Sequence, residues 1–171
     1  MLRSLIWLVS IAAISLPCLS QIATSAEVAS GTADDPVEIV DEPMHHVRMQ
    51  NDVIRVYEAV IPGNSATLFH RHHRSGVGIA MTPNRLGVEK VGAEATEEKT
   101  KSGDFFPVNA ASPYVHRVIN FDPAVYRVIV AERNRDSPLG VGSSTLAGTA
   151  GYKQELETDL VVAYRLTLRP G

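Results

Sequence analysis

The chain has 171 residues, with 19 acidic against 16 basic side chains and a net charge of −3. That balance gives no electrostatic reason to expect a nucleic acid or an anionic membrane as partner. The single cysteine, Cys18, falls in an N-terminal apolar segment, so the rest of the chain can form no disulfide and needs a core to hold it together.

Residues 1–26 read as a secretory signal peptide. Arg3 supplies the positive start, Leu5 to Leu16 forms an apolar run, and Thr24-Ser25-Ala26 offers small residues for cleavage, with no acidic residue before Glu27. The run is shorter than the roughly 20 residues a membrane span needs. The expectation is export, to the periplasm or outside the cell, with no membrane association after cleavage. Pro17 directly before Cys18 is a poor context for lipid attachment, which leaves a lipoprotein as a minor alternative. Cleavage near Ala26 leaves about 145 residues, a usual size for one domain.

Residues 27–36 are small, polar and acidic, and are expected to form a flexible leader. From Val37 the pattern is one of short strands and turns. Val53 to Ile61 is rich in β-branched residues and stops at Pro62-Gly63. Within it Arg55 and Tyr57 share a face with Ala59, while Glu58 shares the other with Ile54 and Val56. Ala66 to His72 is a histidine-bearing strand, preceded far upstream by Met44-His45-His46, which reads as a surface turn before the first barrel strand. Val77 to Met81 and Leu86 to Val91 are further strands, and Gly92 to Lys101 is polar enough for a surface hairpin. Gly103 to Pro107 reads as a turn followed by a buried aromatic edge; Tyr114 to Ile119 and Val125 to Ala131 complete about seven or eight strands. No segment keeps a helical period. The expected fold class is therefore all-β, a barrel or sandwich over residues 37–136.

Residues 137–151, rich in Gly, Ser, Ala and Thr, are expected to be a linker. Residues 152–171 then contain a C-terminal strand. Leu160 to Gly171 resembles Asp52 to Gly63, and both end in Pro-Gly. The comparison supports either the start of a second repeat, the reading favoured here, or two β-branched strands that each precede a turn. Under the first, the last strand packs on the barrel or pairs between subunits of a homodimer.

The chemistry concentrates in Thr67-Leu68-Phe69-His70-Arg71-His72-His73 and Tyr114-Val115-His116-Arg117. On an extended strand His70 and His72 point the same way, and His116 from another strand can close a facial set around one divalent ion. Three neutral imidazoles leave open coordination positions and suit iron, nickel, copper or zinc alike. His73 points away from His72 if the strand continues. No Gly-x-Ser-x-Gly, phosphate-cradling glycine loop or cysteine nucleophile is present, and no catalytic residue can be named.

Taken together, Gly63 with His70-x-His72, and Gly103, Pro107, His116 and Asn120, resemble the two motifs of the cupins. Asn51-Asp52, Arg55-Val56-Tyr57 and Pro62-Gly63 are also similar to the opening strand of many small bacterial cupins, so the resemblance spans about Pro43 to Arg133. It implies a jelly-roll, double-stranded β-helix barrel, often dimeric, holding a metal (Fe, Mn, Ni, Cu or Zn) on His70, His72 and His116 and a small-molecule ligand beside it. The family's fourth ligand, a glutamate shortly after the histidine pair, is missing, since Arg74-Ser75-Gly76-Val77 stands there. Glu58 is either its replacement or an edge charge in solvent. The implied functions are a small-molecule metalloenzyme, dioxygenase- or isomerase-like, or a non-catalytic ligand-binding or structural barrel.

Overall fold

Alternation between buried and outward residues organises the molecule. In the computed structural model, which describes residues 30–134, 146–158 and 161–169, Arg55, Tyr57, Ala59 and Ile61 all turn inward along one strand, and Tyr126, Val128, Val130 and Glu132 do so along another. Side chains two apart share a face, so each strand gives one row to the interior. The two rows lie in one sheet. Its spatial order is β2 (His45–Gln50), β3 (Ile54–Ile61), β10 (Tyr126–Arg133), β5 (Gly76–Ala80) and β8 (Phe105–Val108). The facing sheet runs β1 (Val37–Glu38), β4 (His70–His72), β9 (Tyr114–Asn120), β6 (Asn84–Lys90) and β7 (Thr96–Thr100). Every pairing is antiparallel except β1 with β4.

From β3 to β10 the chain changes sheet at every connection except the β6–β7 hairpin. This winding closes the two sheets into a jelly-roll, double-stranded β-helix, and every described element is a strand. The all-β expectation holds. Ile39, Tyr57, Ile61, Leu86, Val108, Tyr126, Val128 and Val130 form the core between the sheets.

Several local expectations change. Met44-His45-His46 is not a surface turn, because His45 opens β2 and is buried. The histidine strand is shorter than Ala66–His72: Ala66 makes only an isolated bridge to Ile119, and Thr67 instead holds β9 through its hydroxyl, which accepts the Val118 amide. Gly31 packs beside the residues that lead into β4, with the Phe69 amide donating to its carbonyl and its Cα side close to Leu68. The C-terminal part holds two strands where one was expected, β11 (Tyr152–Glu157) and β12 (Val162–Leu166), paired with each other. Arg165 clasps this hairpin to the barrel, its guanidinium 5.3 Å from the Phe105 ring centroid and bonded to the Gly103 carbonyl. The signal segment, residues 27–29 of the leader and residues 137–145 of the linker lie outside the described residues.

The motif residues that are not histidines have structural work. A Cβ on Gly63 would meet the Pro123 carbonyl oxygen at 2.0 Å, so two connecting loops cross there at backbone contact. Gly103 has φ 85°, the left-handed turn that feeds β8. Asn120 is fully buried at the crossing. Its amide donates to the carbonyls of Ile61 (3.1 Å), Pro62 (3.2 Å) and Ala124 (2.7 Å), and its oxygen accepts from Asn84 Nδ2 (3.2 Å) and the Asp122 amide (3.1 Å). Asn120→Ala would strand several of those groups. A loss of about 2–3 kcal/mol in urea denaturation is expected, without change in any metal bound by the histidines.

Candidate metal centre

β4 and β9 pair with His70 opposite His116 and His72 opposite Tyr114. Cross-strand partners share a face, so three imidazoles and a phenol project together into the interior. The three rings offer one nitrogen each within 4.8 Å of one another, close enough to hold a single ion. His72 Nε2 and His116 Nε2 are 3.0 Å apart. Two nitrogens each about 2.0–2.1 Å from a shared ion stand at roughly this separation.

The donor chemistry fits such an ion. His70 Nδ1 donates to the Leu68 carbonyl at 2.9 Å, which leaves its Nε2 lone pair free. His72 Nδ1 donates to Glu132 Oε1 at 3.3 Å, with the same result. A histidine whose remote nitrogen is tied to a carbonyl or carboxylate is the usual form of a metal ligand. His116 differs: its Nδ1 is buried with no hydrogen-bond partner.

Burial, reinforced by the neighbouring His72, pushes His70 down to about 4. Burial and the adjacent His70 and His72 push His116 down to about 2. These rings stay neutral across the ordinary pH range, the state in which imidazole binds metal.

Three residues behind the trio complete the site. Glu132 is fully buried on the inward row of β10. Besides accepting from His72, its Oε2 receives Arg55 Nε (3.1 Å) and Nη2 (2.5 Å). Burial pushes this carboxyl up, but the bonds from His72 and Arg55 outweigh it and hold it below the usual carboxylate range. Arg55 therefore serves Glu132 rather than the cavity. Tyr114 stacks on His72, with ring centroids 4.9 Å apart and planes 11° from parallel. Burial and then Glu132 push its phenol up to about 12. His45 stands edge-on to His70, centroids 4.6 Å apart, and donates from Nδ1 to the Ile39 carbonyl at 3.3 Å. Burial, then His70 and His72, push His45 well below the ordinary imidazole range.

Glu58 does not replace the missing carboxylate. It faces outward from β3 and pairs with Arg48 at 2.6 Å and with Arg127. His73 is exposed and pairs with Glu38 at 3.1 Å. Glu132 had one legible signal: it continues the inward row Tyr126, Val128, Val130, where a carboxylate demands a partner. His45 had none, since residues 46–50 of β2 are all exposed and show no alternation.

The trio opens into a cavity of about 830 Å3, walled by Tyr57, Val88, Phe106, Tyr114 and Val130 among others. Its size is that of small-molecule sites in general. Two five-stranded sheets in this winding order, with a His-x-His strand facing a third histidine inside, decide the architecture. The barrel has the cupin fold.

Solved structures similar to this cupin barrel include a cupin domain from Bordetella pertussis, 22% identical, with TM-score 0.49, covering 53% of this chain and 92% of that one. A protein with a double-stranded β-helix domain from Klebsiella pneumoniae is 14% identical, with TM-score 0.44, covering 56% and 79%. An RmlC-like cupin family protein from Methanocaldococcus jannaschii is 13% identical, with TM-score 0.42, covering 52% and 77%. No family model and no curated protein matches the chain.

Proposed function

We propose that this cupin barrel binds one divalent metal ion through His70, His72 and His116 and receives a small organic molecule in the adjoining cavity. The observation that carries the reading is the pair of fixed tautomers: His70 and His72 each have Nδ1 tied to an oxygen, which leaves Nε2 as the lone-pair donor, and that of His72 faces His116. When bound, such an ion supplies Lewis acidity toward a ligand oxygen, or redox chemistry if it is iron, copper or manganese. The chain's own part is to hold three imidazole donors, orient His72 through Glu132, and surround the open positions with Tyr57 and Tyr114. Export of the protein is part of this proposal, supported by Arg3 and the apolar run Leu5 to Leu16.

Purified protein, stripped and reloaded with zinc or cobalt, is expected to retain about one ion per chain by elemental analysis. His70→Ala, His72→Ala and His116→Ala are each expected to retain less than about a tenth of that. Equal retention by wild type and all three variants would sink the reading.

A second reading, binding without turnover, is favoured by one observation. The carboxylate nearest the trio is tied to Arg55 and His72, and the phenols of Tyr57 and Tyr114 are pushed upward by burial and by Glu132. The candidate base left beside the trio is His45, and burial weakens it by pushing it well below the ordinary imidazole range. Oxygen consumption or substrate loss that needs both metal and His116 decides for the enzyme. Ligand-induced thermal stabilisation without turnover decides for the binding barrel.

A further inference from the structure

The charge around the histidine trio is unevenly distributed. Its three imidazoles bring no negative charge, and its nearest carboxylate, Glu132, is already matched by Arg55. A divalent ion held there, as proposed above, keeps its whole charge in a half-enclosed cavity where little water screens it. The site itself offers nothing to offset that charge.

Two lysines line this cavity, Lys90 and Lys99, and strand register puts the first beside the trio. Leu86 and Val88 face the interior from β6, and Lys90 continues their row to the mouth of the barrel. In register it lies opposite His116. Its ammonium is 5.8 Å from the Tyr114 ring centroid, and Tyr114 itself packs against His72 and His116. The adjacent carboxylate, Glu89, is turned outward and pairs with Arg117 at 2.7 Å. Among the described residues, no carboxylate pairs with Lys90. The acidic lining residues Glu98 and Asp104 lie near Tyr126, and Glu155 pairs with Arg165 at 2.9 Å.

We propose that the ligand of this cavity is a small organic acid, with one oxygen directed to the metal between His70, His72 and His116 and its carboxylate held by Lys90. The inference rests on the metal reading above. A carboxylate-bearing ligand answers both uncompensated charges at once, and a neutral isostere answers neither. Lys90 would then be the residue that selects for anions, reaching the ligand as a mobile point charge from the rim.

The test uses full-length protein loaded with cobalt(II), whose visible bands report on what enters the open positions. Malonate and its uncharged analogue malonamide are the probes. Malonate is expected to shift the bands saturably, and malonamide to bind at least about tenfold more weakly. Lys90→Met should weaken malonate about tenfold or more, and Lys90→Arg should restore most of that loss. Cobalt affinity should not fall in either variant, since Lys90 is not a donor and its charge opposes the ion.

Failure of wild-type protein to bind cobalt would overturn the metal reading and this inference with it. Cobalt binding with equal affinity for malonate and malonamide would leave the metal reading intact and overturn this one. So would malonate binding unchanged in Lys90→Met.

Discussion

Metal-free protein is expected to unfold cooperatively as pH falls from about 6.5 toward 4. His70 and His116 are held neutral in the fold, at about 4 and about 2, against an ordinary value of 6.5. Burial is the main cause in both cases. Below pH 6.5 the unfolded chain gains a proton on each ring that the folded chain refuses, so stability falls as acid is added. The loss is absent above the unfolded value and grows by about 1.4 kcal/mol per pH unit for each ring. At pH 4 the two rings together amount to about 6 kcal/mol, comparable with the whole stability of an ordinary domain. His45, depressed by the same burial, steepens the slope. Urea midpoints between pH 4 and 7 measure it directly. His116→Leu should flatten the slope by about one proton's worth, and an unchanged slope would show that His116 is not the buried neutral ring described here.

Removing the carboxylate of Glu132 is expected to cost about 3–5 kcal/mol. Glu132→Leu leaves the Arg55 guanidinium, only 11% exposed, without its partner, and His72 Nδ1 without an acceptor. Breaking one half of a buried pair is worse than removing both, so Arg55→Met combined with Glu132→Leu should recover much of the loss. Metal binding separates this stabilising role from an orienting one. With His72 free to turn or change tautomer, cobalt affinity should drop about 10–100-fold in the double variant even where stability has returned. Glu132→Gln retains an acceptor oxygen and should fall between. Wild-type cobalt affinity in the double variant would show that Glu132 matters to folding alone.

Much of this site is legible in the sequence. The spacing of His70 and His72 put both on one strand face, and β4 keeps them there. Arg55 and Tyr57 were legible as companions of Ala59, and all three are inside. What escaped depended on partners distant in the chain. Glu132 looks like the end of a hydrophobic strand until Arg55, 77 residues away, is seen to meet it. β1 is two residues long and exists only because β4 lies beside it. His45 belongs to an edge strand exposed along the rest of its length, where periodicity has nothing to report. The role of Asn120 is architectural, because its five bonds join strand ends and loops rather than reach the histidines.

The two innermost histidines of β4 are fixed by different means. His70 leans on a carbonyl two residues back in its own segment, whereas His72 leans on Glu132, which belongs to the opposite sheet. The first arrangement needs only local chain geometry; the second arises only when the sheets have docked. A half-formed barrel can therefore present one aligned ring but not the set. Tight capture of an ion at this trio would then be a late event in folding, and a nascent chain would be a poor chelator until its two halves have met.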